Sequence, residues 1–211
     1  MWPDSDQTAE LLAAAGDGNA VAVNRLLDRH REALRRMVEL RMDQALRRRV
    51  DASDIVQDVL IEANRRLTEY IANPAMPFHL WLRHIAKDRV IDTHRRHRVA
   101  GKRSLDREQP QAAAGLDRSS LDLIAQLRDP EMTPAAAATW HELERRFFGA
   151  LDQLEEHDRE VLLMRHFEQL SNQDVAAALG LTEPAAGMRY LRAMRRLRTL
   201  LADPNDTSGD G

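Results

Sequence analysis

The chain has 211 residues, a formal net charge of −3, 43% hydrophobic residues and only 4% aromatic residues, which suits one large or two small domains and favours helices over sheets. It has no cysteine, which excludes disulfide scaffolds, thiolate metal sites and thiol catalysis. Its longest apolar run, Val175 to Leu181, is far below the roughly 20 residues of a membrane span, and the acidic start through Asp4 and Asp6 lacks the basic and apolar regions of a signal peptide; a cytoplasmic protein with no membrane contact and no cofactor is expected.

Apolar residues recur at spacings of three and four from Thr8 to Arg98, and no segment alternates as a strand does. Leu11, Leu12 and Ala15 mark a first helix, which Gly16-Asp17-Gly18-Asn19 closes as a turn. Val23, Leu26, Leu27, Leu34, Val38 and Leu40 carry the period through an Arg-rich stretch. Asp51-Ala52-Ser53-Asp54 has the form of a capping box with Asp51 as N-cap, opening a helix that carries Ile55, Val56, Val59, Leu60, Ala63 and Leu67. Asn73-Pro74 and Pro77 break the chain before a long helix from Phe78 to His97, with Leu82, Ile85, Ala86 and Val90 on its inner face.

Composition changes near Gly101. Between Ser104 and Thr139 lie Pro110, Pro130, Pro134, the Ala112–Ala114 run and a net charge of −3, which is the pattern of a linker holding at most a short helix around Leu121 to Leu127. Periodicity returns at Trp140 and runs to Leu201, and the polar tail that follows is expected to be disordered. The expected organisation is all-α: a helical domain over 1–100, an acidic flexible linker over 101–139, a second helical domain over 140–202 and a tail over 203–211.

Positive charge is concentrated in two places. From Arg83 to Arg103 there are eight cations, among them Arg83, Lys87, Arg95 and Arg96, against only Asp88 and Asp92, a net of +6. From Thr182 to Leu201, Arg189, Arg192, Arg195, Arg196 and Arg198 face only Glu183, a net of +4. Such patches mark a polyanion partner, although only two of the 31 basic residues are Lys and an Arg-rich solvated face is the competing explanation.

The second patch sits on a motif. Ser171-Asn172-Gln173-Asp174 forms a capping box for a short helix, Gly180 supplies the left-handed residue that ends it, Leu181 plugs the core, and Thr182 can cap a second helix with Pro184 in its first turn. This is the spacing of a helix-turn-helix. On the second helix Ala186, Tyr190, Ala193 and Leu197 fall on one stripe, and Ala185, Arg189, Arg192 and Arg196 on another. An apolar stripe beside an Arg stripe suits a helix that packs on its module and reads a DNA groove; an ordinary helical hairpin with a charged outer face is the alternative.

Leu170 to Ala176, Leu179-Gly180-Leu181-Thr182 and Arg192-Ala193-Met194-Arg195-Arg196-Leu197 resemble region four of bacterial extracytoplasmic-function (ECF) sigma factors, and Leu154 to Phe167 resembles the helix that precedes it there. Asp54-Ile55-Val56-Gln57-Asp58-Val59 is similar to the Asp-hydrophobic-hydrophobic-Gln-acid signature of region two. Phe78, Trp81-Leu82, Ile85-Ala86 and Asp92 to Arg96 resemble its promoter-melting helix. The segment from Glu183 to Tyr190 is similar to a variant of planctomycete-type ECF branches. Two departures stand out: Lys87-Asp88 where the family usually has Arg-Asn, and Gly187 where a Lys is frequent.

The resemblance implies a sigma factor that binds RNA polymerase core and promoter DNA and that an anti-sigma protein could regulate. It implies docking on the polymerase clamp through Asp54, Gln57, Asp58 and Ile61. Minus-ten recognition and melting would fall to the loop from Ile71 to Pro77 with Phe78, His79, Arg83, Lys87, Asp88, Arg95 and Arg96, Trp81 serving the core. Minus-thirty-five recognition would fall to Thr182, Ala185, Arg189, Arg192 and Arg196, and the acidic linker would pass near the RNA exit path. Two other readings of the residues compete. A stand-alone helix-turn-helix regulator would bind duplex without polymerase. A metal-dependent nuclease would use Asp88 and Asp92 with His84, His94 and His97.

Overall fold

The computed structural model describes residues 2–42, 44–101 and 140–202, all helical apart from turns and caps; the expected linker, its short helix around Leu121 to Leu127 and the tail lie outside the described residues. The chain divides into two compact units, Met1–Gln111 and Ala112–Gly211.

In the first unit, α1 (Ser5–Gly16) starts where the Asp4 carboxylate accepts the Asp6 N–H at 2.7 Å. Gly18 turns the chain at φ +83°, and Asn19 then caps α2 (Ala20–Arg41) by accepting from Val21 and Ala22. After the single turn of α3 (Gln44–Arg47), α4 (Ala52–Ala72) begins at Asp51, whose carboxylate takes the Ser53 N–H at 2.7 Å. The cap is therefore a simple N-cap rather than the expected box, and Asp54 stays exposed on the first turn, where the helix dipole favours it. Pro77 leads into α5 (Phe78–Gly101).

Helices α2, α4 and α5 pack on one another, and α1 lies on α2. Their core joins Leu26, Leu34, Met37 and Val38 to Ile55, Val56, Val59 and Ala63 and to Leu82, Ile85, Ala86 and Val90. His30 is also fully buried. Its Nδ1 lies 2.8 Å from the Leu26 carbonyl, which can only accept, so Nδ1 carries the proton; burial holds the ring below the usual histidine range and neutral.

The second unit contains α6 (Trp140–Gln153), α7 (Glu156–Leu162) with a π-helical turn at Leu163–Phe167, α8 (Asn172–Leu179) and α9 (Glu183–Leu201). The apolar period from Trp140 onward did not indicate the π turn or the left-handed backbone of Gln169 at φ +56°, which together bring Leu170 N–H to the Met164 carbonyl at 2.9 Å. The expected helix-turn-helix is present. Ser171 Oγ accepts from Asp174 N at 3.0 Å while Ser171 N donates to Asp174 Oδ2 at 3.2 Å, completing a capping box. Gly180 ends α8 at φ +63°, Leu181 N–H reaches back to Ala176, and Thr182 caps α9 through Ala185 N. Ala186, Ala193 and Leu197 are fully buried, with Tyr190 and Leu181 half-buried beside them.

Two glycines here differ in what a methyl group would do. Gly180→Ala is expected to cost about 1–2 kcal/mol, because an L-residue is strained in the left-handed region. Gly187→Ala is expected to gain about 0.5–1 kcal/mol from helix propensity, since a Cβ there meets nothing nearer than Asn172 Oδ1 at 3.9 Å. Thermal unfolding of the two variants should move the midpoint in opposite directions.

Candidate functional site

The residues singled out in the first unit separate into two surfaces and part of the core. On α4, Asp54, Gln57, Asp58 and Ile61 all face outward while Ile55, Val56 and Val59 are buried, as their spacing predicts. Ile61 is 54% exposed, a large apolar side chain left in water among polar neighbours. Beside it runs an open groove of about 600 Å³ between α2 and α4, lined by Leu27 and Leu60, by Gln57 and Ile61, and by Arg25, Arg65 and the Asp28–Arg31 ion pair at 3.2 Å. Sequence reasoning missed this mixed-charge lining because α2 supplies most of it, some thirty residues before Gln57; the signal available was the run of outward-facing Arg on α2.

At the start of α5 two expectations are corrected. Phe78 is only 4% exposed and lies within 5.1–5.4 Å of the rings of His30, Tyr70 and Trp81, so it belongs to the core and cannot meet DNA. Arg83 is 1% exposed, sharing the inner side of α5 with Leu82 and Ala86, and is likewise removed from any nucleic-acid surface. Trp81 packs against the core but stays half-buried. With Tyr70, Met76, Asn73, Glu69 and Arg66 it lines a cleft of about 160 Å³ at the Asn73–Pro77 loop. His79 is half-buried, its ring 5.9 Å from that of Trp2. Lys87 is half-buried, and Asp88, Arg95 and Arg96 are exposed farther along the helix. Among the described residues no group of three or more His, Asp or Glu side chains is arranged to hold a metal ion.

On α9 the two stripes lie where their spacing puts them. Thr182, Ala185 and Arg192 are exposed and Arg189 half-buried. Arg196 is exposed as well, and its guanidinium donates to Asp158 Oδ2 at 2.6 Å and lies 3.5 Å from Glu155 Oε1, which ties α9 to the start of α7. The Asp158 carboxylate is nearly buried at that helix start, and this bridge compensates its lost hydration. A second tie joins the π turn to α9. Tyr190 Oη and His166 Nε2 share a hydrogen bond of 2.9 Å, their rings 5.5 Å apart, and the Arg165 guanidinium lies 5.9 Å from the Tyr190 ring centre.

Burial, reinforced by Arg165, pulls the His166 pKa from 6.5 down to about 4. The folded unit thus resists a proton that the unfolded chain accepts, so stability is full above pH 6.5 and is lost as pH falls toward 4. A loss of at most about 3 kcal/mol over that window is expected, solvent screening of the half-buried ring reducing it. His166→Asn should flatten it, as read by denaturant unfolding at stepped pH.

Comparison with known proteins places both units in one family. Residues 22–99 match the model for Sigma-70 region 2, and residues 145–197 match that for Sigma-70, region 4. The RNA polymerase sigma-H factor of Pseudomonas aeruginosa is 31% identical over 144 residues, covering 68% of this chain and 69% of that one. A probable RNA polymerase sigma factor, RfaY of Xanthomonas campestris, is 34% identical over 168 residues; the match takes in 79% of this chain but only 38% of RfaY. The solved structure of CnrH in complex with the cytosolic domain of CnrY matches with a TM-score of 0.59 at 26% identity, covering 98% of this chain and 100% of that one. The chain belongs to the sigma-70 family of RNA polymerase sigma factors, in its ECF group.

Proposed function

We propose that this chain is a non-enzymatic, cytoplasmic initiation factor that binds RNA polymerase core and directs it to promoters. The observation that carries the reading is the pairing, in one chain, of a region 2 unit with an outward Asp54-Gln57-Asp58-Ile61 stripe and a region 4 unit whose second helix presents Arg189 and Arg192.

Each part has work suited to its chemistry. The α4 stripe offers carboxylates, an amide and an exposed isoleucine, and the adjoining groove adds Arg25, Arg31 and Arg65. A helical partner carrying both signs of charge around an apolar ridge fits such a surface. The cleft at the Asn73–Pro77 loop, with the Trp81 ring at its wall, is suited to an unstacked base of the minus-ten element. Exposed Arg95 and Arg96 would follow the phosphates leading from it. Region 4 would hold the upstream minus-thirty-five element as duplex. An anti-sigma protein would act by covering the α4 stripe or the α9 face.

Duplex binding with and without core polymerase tests this reading against a stand-alone regulator. The chain alone should bind promoter duplex weakly, and core polymerase should be required for a sequence-specific, stable complex. Tight specific binding by the chain alone would favour the regulator instead.

A further inference from the structure

The amino-terminal half of the second helix in a helix-turn-helix is the part that reaches base edges. In α9 several hydrogen-bonding groups around that half are committed inside the module, while Arg189 stays half-buried at its edge. Thr182 Oγ1 accepts from Ala185 N at 3.4 Å, Asn172 Nδ2 donates to the Glu183 carbonyl at 2.9 Å, and Tyr190 Oη is bonded to His166. Outward from the same two turns point Ala185, which is exposed, and Met188, which is 53% exposed. At about 100° per residue Ala185, Met188 and Arg192 lie within an arc of roughly 60°, with Arg195 at its edge. Met188 and Leu191, 47% exposed one turn on, therefore form an apolar step beside Arg192 and Arg195, and α9 itself carries no carboxylate after Glu183.

Arg192, one turn from Met188, and Arg195 beyond it favour a polyanion as the occupant of this face, since a protein partner covering Met188 would have to bury Arg192 with it. Against duplex DNA, a thioether and a methyl group can read only one feature of the major groove, the 5-methyl group of thymine. Methionine is well suited to it, being unbranched, polarizable and able to shift its terminal methyl to meet another. We infer that Met188, backed by Ala185, is a specificity-determining residue that recognises a thymine methyl in the upstream promoter element, while Arg192 holds the adjacent backbone. This inference rests on the sigma-factor reading above and adds to it what the element must contain.

The test uses the full chain bound to core polymerase on a promoter that this holoenzyme transcribes. Each thymine of the upstream element is replaced in turn by deoxyuridine, which removes the 5-methyl and leaves pairing unchanged. At one or two positions the substitution should lower promoter affinity about fourfold, the worth of one buried methyl group. Met188→Ala should lower affinity for the thymine promoter by a similar factor and should then be indifferent to deoxyuridine at that position. Alanine at this exposed helical site favours the fold, and circular dichroism checks it. Arg192→Ala should weaken binding to thymine and deoxyuridine promoters alike. The inference is overturned if no position responds to the methyl group, if Met188→Ala keeps the parent's thymine preference, or if Met188→Ala weakens core binding instead. Failure to obtain any sequence-specific transcript would overturn the sigma-factor reading itself, and this inference with it.

Discussion

Gln57→Ala combined with Asp58→Arg is expected to leave the first unit folded and to weaken binding to core polymerase about 30- to 150-fold, or about 2–3 kcal/mol. Both side chains are exposed on α4, one turn from the exposed Ile61, and neither contributes to the core formed by Ile55, Val56 and Val59. Alanine and arginine are good helix formers, so the change at these surface positions should alter stability by no more than about 0.5 kcal/mol. The affinity loss instead comes from reversing a charge beside an apolar anchor on a face that must match its partner. Pull-down of core polymerase by the double variant, alongside unfolding curves, measures both quantities. Undiminished pull-down would remove α4 from the docking surface.

Arg192 and Arg196 stand one turn apart on α9, yet their substitution should produce different phenotypes. Arg192 is exposed, and Arg192→Ala should reduce promoter affinity evenly across sequences and lower the salt dependence of binding by about one phosphate contact. Arg196 is bonded to Asp158 and Glu155, so Arg196→Ala should leave the salt slope unchanged and lower the unfolding midpoint of the second unit. The buried Asp158 carboxylate would lose its partner, and the start of α7 would lose its tie to α9. A salt slope for Arg192→Ala equal to the parent's would mean that the outward face of α9 does not lie on DNA.

The contrast between these arginines shows where sequence periodicity stops being informative. Helix ends were legible because caps are local: Asp51, Ser171, Gly180 and Thr182 each act within four residues, and each occupies the terminus expected of it. The inner stripes of α4, α5 and α9 were legible for the same reason. What an outward or flanking residue does depends on what faces it across the fold. Arg83 and Phe78 carry types that suit DNA, but their positions on α5 turn them into the packed interior. Arg196 is drawn to an acid 38 residues earlier, and the groove beside Ile61 is closed by α2. The His166–Tyr190 pair depends on the π turn at Leu163–Phe167, for which an apolar period gives no sign.

Transcription with purified components bears most directly on the central claim. Core polymerase and fragments of the parent genome are incubated with and without the chain, and transcript starts are mapped. A discrete set of starts is expected that appears only when the chain is present, disappears with the Gln57→Ala, Asp58→Arg variant, and shares an upstream duplex element and a minus-ten element. Starts that do not change on adding the chain, with polymerase-independent binding to specific duplex sites, would contradict it.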